Sequence, residues 1–278
     1  MIISSNQLKG IIKNKASGDA KKAESLVRLF FMEHFLERVA MSAYKDSFVL
    51  KGGMLASSLL GIDLRTTMDI DTSVRALTLG EDEIQRIVLD ICSVDIEDNI
   101  TYKLLYTETI MDDFDYPGIR VHLEGEFEKI RQPIKIDVST DDVITPRAIE
   151  YKYKLMFEER TIELMAYNTE TLLAEKLQTV FVRGIANTRL RDFYDIYLLI
   201  SKTDFSWKTL IDAFTATCKK RDTIFDVESA SKIEIQIEND SLLEKNWELF
   251  KKKNSFVDNV KWKDVLVCLD YTIKKLYK

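Results

Sequence analysis

The stretch from Lys51 to Asp71 limits most strongly what this chain can fold into. An apolar run, Phe48-Val49-Leu50, enters Lys51-Gly52-Gly53; an apolar segment, Met54 to Leu60, follows; a polar run leads on to Met68-Asp69-Ile70-Asp71. Gly-Gly allows a sharp turn and the close approach of a ligand, because no Cβ is in the way. The pattern predicts a buried strand over Phe48 to Lys51, a helix over Gly53 to Leu60, a polar loop, and a strand over Met68 to Arg75. The first N–H groups of a helix that opens on such a turn lack intrahelical partners and form an anion site. In a strand Asp69 and Asp71 share one face, and two adjacent carboxylates repel each other unless a proton or a cation lies between them. A hard, oxygen-seeking ion such as Mg²⁺ (or Mn²⁺) suits that arrangement. Each piece alone is common: an Asp-x-Asp on a solvated strand, a Gly-Gly in a plain turn. In this order they suit metal-assisted chemistry on a phosphate, and they leave nucleotidyl and glycosyl transfer both open.

The rest of the chain has to house that stretch. Its 278 residues, 46% of them hydrophobic, leave room for two modest domains, and 9 Gly with 3 Pro point to regular structure with few long loops. The net charge of −6 is uneven: from Asp63 to Asp142 there are 20 Asp and Glu against 8 Lys and Arg, whereas both ends lean basic. The overall sign argues against avid nucleic-acid binding, without excluding a polynucleotide held by local patches. Cys92, Cys218 and Cys268 are far apart and match no metal spacing, as thiols of a reducing cytoplasm would be. His34 and His122 are isolated, so neither a zinc site nor a His-based triad is supported. No basic start leads into an unbroken apolar segment, and no run approaches ~18 apolar residues, so neither a signal peptide nor a membrane span is expected.

Residues 5 to 44 read as helical, with Asp19 capping a long helix to about Ala43. Its apolar stripe is expected from Leu26, Arg28, Phe30, Phe31, Phe35, Val39 and Met41. A helix over Gly80 to Cys92 carries Glu81, Asp82 and Glu83 in its first turn, favourable for the helix dipole. Then comes a β-rich block: Asn99 to Glu108, Tyr116 to Phe127, and Pro133 to Ser139, which puts Ile134, Ile136 and Val138 on one face and Lys135, Asp137 and Ser139 on the other. If that last strand lies beside the Asp69/Asp71 strand, Asp137 adds a third carboxylate. A short extended pair, Lys154 to Phe157 and Thr161 to Met165, closes the block. From Thr169 onward the pattern is helical: 169–183, a helix from near Leu190, then 207–220, 239–252 and 261–277. The boundary between a 1–168 α/β half and a 169–278 helical half is placed there.

A second constellation lies in the helical half. Lys176, Arg183, Arg189 and Arg191 cluster in sequence beside Asp192 and Asp195. Lys176 and Arg183 are two helical turns apart and share a face. That face suits a triphosphate; equally, Lys176 or Arg183 could form a salt-bridge seam with Asp192 or Asp195.

Taken together, Lys51-Gly52-Gly53, Thr67-Met68-Asp69-Ile70-Asp71, Ile136-Asp137, Glu175-Lys176-Leu177 and Arg191-Asp192-Phe193-Tyr194-Asp195 resemble the AbiEii/AbiGii-type nucleotidyltransferase toxins. Those belong to the DNA polymerase β-like nucleotidyltransferase superfamily and include the MenT toxins. The resemblance covers roughly residues 45 to 200. It implies an α+β, bilobed fold: a nucleotidyltransferase lobe with a mixed sheet, then an α-helical lobe. It implies a toxin–antitoxin or abortive phage infection system, an antitoxin encoded beside the toxin, and nucleotide transfer from an NTP to the 3′ end of tRNA, blocking translation. By position it implies that Lys51, Gly52 and Gly53 line the triphosphate, that Asp69 and Asp71 hold metal with Asp137 as the third carboxylate, and that Lys176 and Asp192 match the later motifs. Many relatives carry Gly-Gly-Thr where this chain has Gly52-Gly53-Met54. Either Ser57, one turn on, takes over the hydroxyl's place or backbone N–H groups suffice.

The reaction expected is two-metal phosphoryl transfer, with Lys176 and Arg183 neutralising the triphosphate and Asp192 orienting Lys176. The alternatives are an Asp-x-Asp glycosyltransferase, against which the upstream Gly-Gly helix counts, and a non-catalytic protein acting through contact with a partner.

Overall fold

The computed structural model describes residues 2, 4–61, 67–75, 80–111, 117–140, 142–257 and 259–277. The loop residues 62–66 and the proposed strand start at Tyr116 lie outside them. The chain divides into two compact units. The first comprises Met1–Ser58, Thr66–Asp142 and Ile149–Ala166, the second Leu59–Arg65, Val143–Ala148 and Tyr167–Lys278.

The first unit opens with two helices, α1 (Ser5–Ala16) and α2 (Ala20–Met41). Asp19 caps α2 as expected, its carboxylate accepting from the backbone N–H of Lys21 and Lys22. Leu26, Phe30, Phe31, Phe35 and Val39 of the expected stripe are buried, and from Leu29 to Val39 α2 is buried on every side. Met41, expected in that stripe, is 69% exposed, because the helix ends there instead of continuing to Ala43. Next come β1 (Phe48–Lys51), α3 (Gly52–Leu60), β2 (Ile70–Val74), α4 (Glu81–Cys92), β3 (Ile100–Met111), β4 (Pro117–Phe127), β5 (Ile130–Thr140), β6 (Ile149–Lys154) and β7 (Thr161–Ala166).

The strands form one mixed seven-stranded sheet in the order β3-β4-β5-β2-β1-β7-β6. β2 runs parallel to β5, β1 parallel to β7, and the other pairs are antiparallel. The period-two pattern of β5 holds: Ile134, Ile136 and Val138 are buried while Lys135 is exposed. α2 packs on β5 and β7, and α4 on β3 and β4. The approach of α2 is close enough that a Cβ on Gly125 of β4 would sit 2.3 Å from Phe31 Cδ1, so only glycine fits there. The buried Arg38 fork on Asp98, 2.7 Å on both arms, ties α2 to the residues before β3.

Several strand boundaries differ from the sequence reading: β3 runs on to Met111, β5 starts at Ile130, and β6 and β2 are shifted. β6 begins at Ile149 and ends at Lys154, whereas the extended segment was expected over Lys154 to Phe157. Its pairing with β7 alternates Tyr151 and Tyr153 against Leu164 and Ile162, and 155–160 turn the chain. β2 starts at Ile70, two residues later than expected, which leaves Asp69 in a bend.

The second unit contains α5 (Thr169–Arg183), α6 (Leu190–Lys202), α7 (Trp207–Lys220), α8 (Val227–Asn239), α9 (Ser241–Lys253) and α10 (Trp262–Leu276). Asn168 caps α5 by accepting from the Thr171 N–H at 2.7 Å. Leu172, Leu173, Leu177, Val180 and Phe181 of α5 are buried, α5 packing on α6 and α7. Tyr194, Trp247 and Trp262 form an aromatic centre. α8 has no counterpart in the sequence reading: Ile233, Ile235 and Ile237 alternate like a strand. A capping box, in which Asp226 and Ser229 each bond the other's backbone, starts a helix instead. Among the described residues no helix is long and apolar enough to cross a membrane.

Candidate active site

The site is built where β2 and β5 lie side by side. Their parallel register pairs Ile70 with Ile136 and Asp71 with Asp137, which puts both carboxylates on the same face. Asp69 reaches the same place from the bend before β2, with Thr67 Oγ1 3.3 Å from its backbone oxygen and 3.4 Å from its Oδ1. Carboxylate oxygens of Asp69, Asp71 and Asp137 lie within 4.8 Å of one another.

The glycine turn serves this cluster directly. The Gly53 N–H donates to Asp71 Oδ2 at 2.8 Å. Gly52 has φ +57°, and a Cβ there would lie 2.1 Å from the same oxygen. Glycine at 52 therefore satisfies two demands, a left-handed backbone and a carboxylate pressed against the turn. Burial, then the neighbouring charge of Asp69, pushes the Asp71 carboxyl well above the ordinary carboxylate range, against the pull of the Gly53 N–H. An all-oxygen set of neighbouring carboxylates, one of them costly to ionise without a counter-charge, fits a hard divalent cation.

Counter-charge comes from Lys51, which the sequence motif contains, and from Arg120, which the sequence reading passed over. Arg120 on β4 faces Asp137 across the β4–β5 pairing and grips it with both arms, Nε to Oδ1 at 2.7 Å and Nη2 to Oδ2 at 2.8 Å. The hydrogen-bonded fork on Asp137, acting against burial, raises the Arg120 pKa. Arg120 Nη1 also lies 3.8 Å from Glu108 Oε1, which in turn is 2.8 Å from His122 Nε2. Lys51, at the end of β1, bonds Asp142 Oδ2 at 2.7 Å, and Ser139 Oγ donates to the same oxygen at 2.7 Å. Burial works against ionised Asp142, but the Lys51 charge and the hydrogen bonds from Lys51, Ser139 and Ser73 together outweigh it and hold the carboxyl down at about 2. The polar face of β4 was visible in the alternation Arg120-x-His122. Which strand it would face was not.

Met54, the residue in place of a hydroxyl, is fully buried and belongs to the core. Ser57 is 5% exposed, and its Oγ has no hydrogen-bond partner among the described residues. Ser58 pairs instead with Tyr151 Oη at 2.8 Å.

In the second unit, Lys176 Nζ sits 2.8 Å from both Asp192 Oδ1 and Asp195 Oδ2, and Asp195 is fully buried. This is the seam between α5 and α6 that the spacing allowed. Arg183 closes α5 in its last turn, where positive charge suits the helix dipole.

A sequence family described as "Nucleotidyl transferase AbiEii toxin, Type IV TA system" matches residues 34–266. No curated protein matches the chain. Two crystal structures from Helicobacter pylori resemble it: a candidate nucleotidyltransferase (16% identity, TM-score 0.53, covering 91% of this chain and 94% of that one), and JHP933 (16% identity, TM-score 0.53, covering 91% of each chain). At that identity the likeness is one of fold.

Proposed function

Because the chain belongs to the AbiEii family of nucleotidyl transferase toxins of type IV toxin–antitoxin systems, and is accordingly a nucleotidyltransferase, we propose that it transfers a nucleotide from an NTP to the 3′ end of an RNA, with tRNA as the acceptor. The consequence is a block of translation in the cytoplasm, in the setting of abortive phage infection. The family implies a cognate antitoxin. The observation that carries the reading is the carboxylate trio Asp69, Asp71 and Asp137 under the Gly52-Gly53 turn.

Asp69 and Asp71 would hold Mg²⁺ or Mn²⁺, and Asp137 would join them from the neighbouring strand or accept the proton of the attacking hydroxyl. When bound, the cation supplies Lewis-acid polarisation of phosphoryl oxygens and lowers the pKa of the attacking hydroxyl. The chain's own part is positional. Gly52 leaves room for Asp71 and for an approaching phosphate, and the opening of α3 favours negative charge in front of it. Lys51, steadied by Asp142, contributes positive charge beside the trio. In the helical unit Asp192 and Asp195 hold Lys176 at 2.8 Å from each and fix the direction of its ammonium. Ser57 is the hydroxyl assigned to the phosphate side, on the strength of its unpartnered Oγ.

The test is incorporation. The protein is incubated with total RNA, Mg²⁺ and each labelled NTP in turn, beside Asp69→Asn and Asp71→Asn. Label enters RNA in the tRNA size range with the native chain and not with either variant. Absence of incorporation with every nucleotide, together with unchanged toxicity of both variants in cells, overturns the reading.

A further inference from the structure

Asp137 is the one member of the trio already engaged at both oxygens. Its partner is a guanidinium in the fork geometry that makes arginine–carboxylate pairs strong. Asp71 is held by one backbone N–H and Asp69 by a long contact from Thr67. The three carboxylates are therefore not equivalent. A cation approaching Asp69 and Asp71 meets carboxylates that repel each other, whereas a cation approaching Asp137 must first displace Arg120.

The same arginine has a second carboxylate within reach. Glu108 pairs with Arg120 in the β3–β4 register, and its Oε1 lies 3.8 Å from Nη1. Glu108 is more exposed than Asp137, at 46% against 18% for the side chains. The same Glu108 oxygen lies 2.8 Å from His122 Nε2, and the Tyr106 ring stacks on His122 at 4.1 Å. Arg120 thus stands between an inner partner and an outer one on adjacent strands of one sheet.

We propose that Arg120 is a positioning residue that competes with divalent cation for Asp137, with Glu108 as the carboxylate that receives Arg120 when Asp137 is released. This rests on the trio being a cation site, as the proposed function has it. In the resting protein the trio then presents two carboxylates to a cation and keeps the third neutralised. The cost of freeing Asp137 sets how readily the full three-carboxylate site forms.

The experiment reads cation binding in the absence of any nucleotide. Mn²⁺ is titrated into the full chain, and the free ion is followed by electron paramagnetic resonance. Native protein is compared with Arg120→Met, Arg120→Lys, Glu108→Gln and Asp71→Asn, each checked for folding by circular dichroism. With the competing positive charge removed, Arg120→Met is expected to bind Mn²⁺ about tenfold more tightly than the native chain, or to bind one ion more. Arg120→Lys, a point charge that cannot hold both oxygens, falls in between. Glu108→Gln weakens binding, because Arg120 then has Asp137 alone. Equal Mn²⁺ affinity and number in native, Arg120→Met and Glu108→Gln proteins overturns the competition while leaving the cation site standing. Weaker binding by Arg120→Met overturns it as well. If neither the native chain nor Arg120→Met binds Mn²⁺, the cation site itself is wrong and the inference falls with it. Loss of binding in Asp71→Asn shows that the signal comes from the trio.

Discussion

The two clusters of charge in this molecule are built on opposite plans. In the sheet unit, three carboxylates face one another within 4.8 Å, and of the three it is Asp137 that the Arg120 fork grips. In the helical unit a single ammonium, Lys176, lies between Asp192 and Asp195 at 2.8 Å from each. Alternating signs make the second cluster a fastening: each charge is desolvated, but each has a partner. Like signs give the first one the opposite character: its carboxylates repel one another unless a proton or a cation lies between them. The same chemical change, removal of one charge, should therefore have opposite consequences in the two places.

The largest effect is expected in the seam. Lys176→Met removes the cation 2.8 Å from the fully buried Asp195, and breaking a buried pair on one side costs about 3–5 kcal/mol. Urea denaturation should show that loss. A Lys176→Met protein of native stability that has lost incorporation would break the comparison, by making Lys176 a ligand of the triphosphate rather than a fastening.

Gly52→Ala comes next. It combines φ +57° with a Cβ 2.1 Å from Asp71 Oδ2, so the turn or the carboxylate must move. A loss of about 2 kcal/mol is expected, with weaker Mn²⁺ binding because the displaced group belongs to the trio. Unchanged binding would mean that the turn and the trio are independent.

Glu33 separates burial from like-charge repulsion. It is a buried acid on α2 whose carboxylate accepts from the Met156 N–H and Tyr153 Oη, all at 3.1 Å. Burial, working against those donors, pushes its carboxyl up to about 8. A folded pKa above the unfolded one means that the native state holds the extra proton. The stabilisation is complete below about pH 4.5 and is lost as pH rises towards 8. Within that window the slope is about 1.4 kcal/mol per pH unit at most. Glu33→Gln should flatten it in thermal melts taken across pH 5 to 8, and an unchanged slope would assign the dependence to other groups.

How much of this could be read from the chain follows the range of the interactions. Local signals served well: Asp19 at the start of α2, the alternation Ile134-x-Ile136-x-Val138 and the α5 pattern all depend on neighbours a few residues away. The Gly-Gly and Asp-x-Asp motifs named the site because both halves of it are short-range. The alternatives that an Asp-x-Asp leaves open were narrowed by the family match over residues 34–266. What stayed hidden was register. Nothing local says that β5 would pair with β2 so that Asp137 meets Asp71, or that β4 would bring Arg120 against it. α8 was missed because three alternating isoleucines imitate a strand, and β6 because its tyrosine pattern lies just before the segment chosen.

The smallest predicted effect is the most direct contrast with the seam. Asp71→Asn keeps an oxygen that can accept the Gly53 N–H but removes one of three facing charges. In EDTA the variant should be more stable than the native chain, on the order of 1 kcal/mol once solvent screening and the raised Asp71 carboxyl are allowed for. Adding Mg²⁺ should raise the melting temperature of the native chain, because a ligand that binds only the folded state stabilises it. It should do little for the variant, so that the two converge or cross. Asp195→Asn should do the reverse, losing stability in EDTA and keeping the full Mg²⁺ response. If Asp71→Asn also loses stability in EDTA, the trio is held together by hydrogen bonds rather than awaiting a cation, and the two clusters are alike after all.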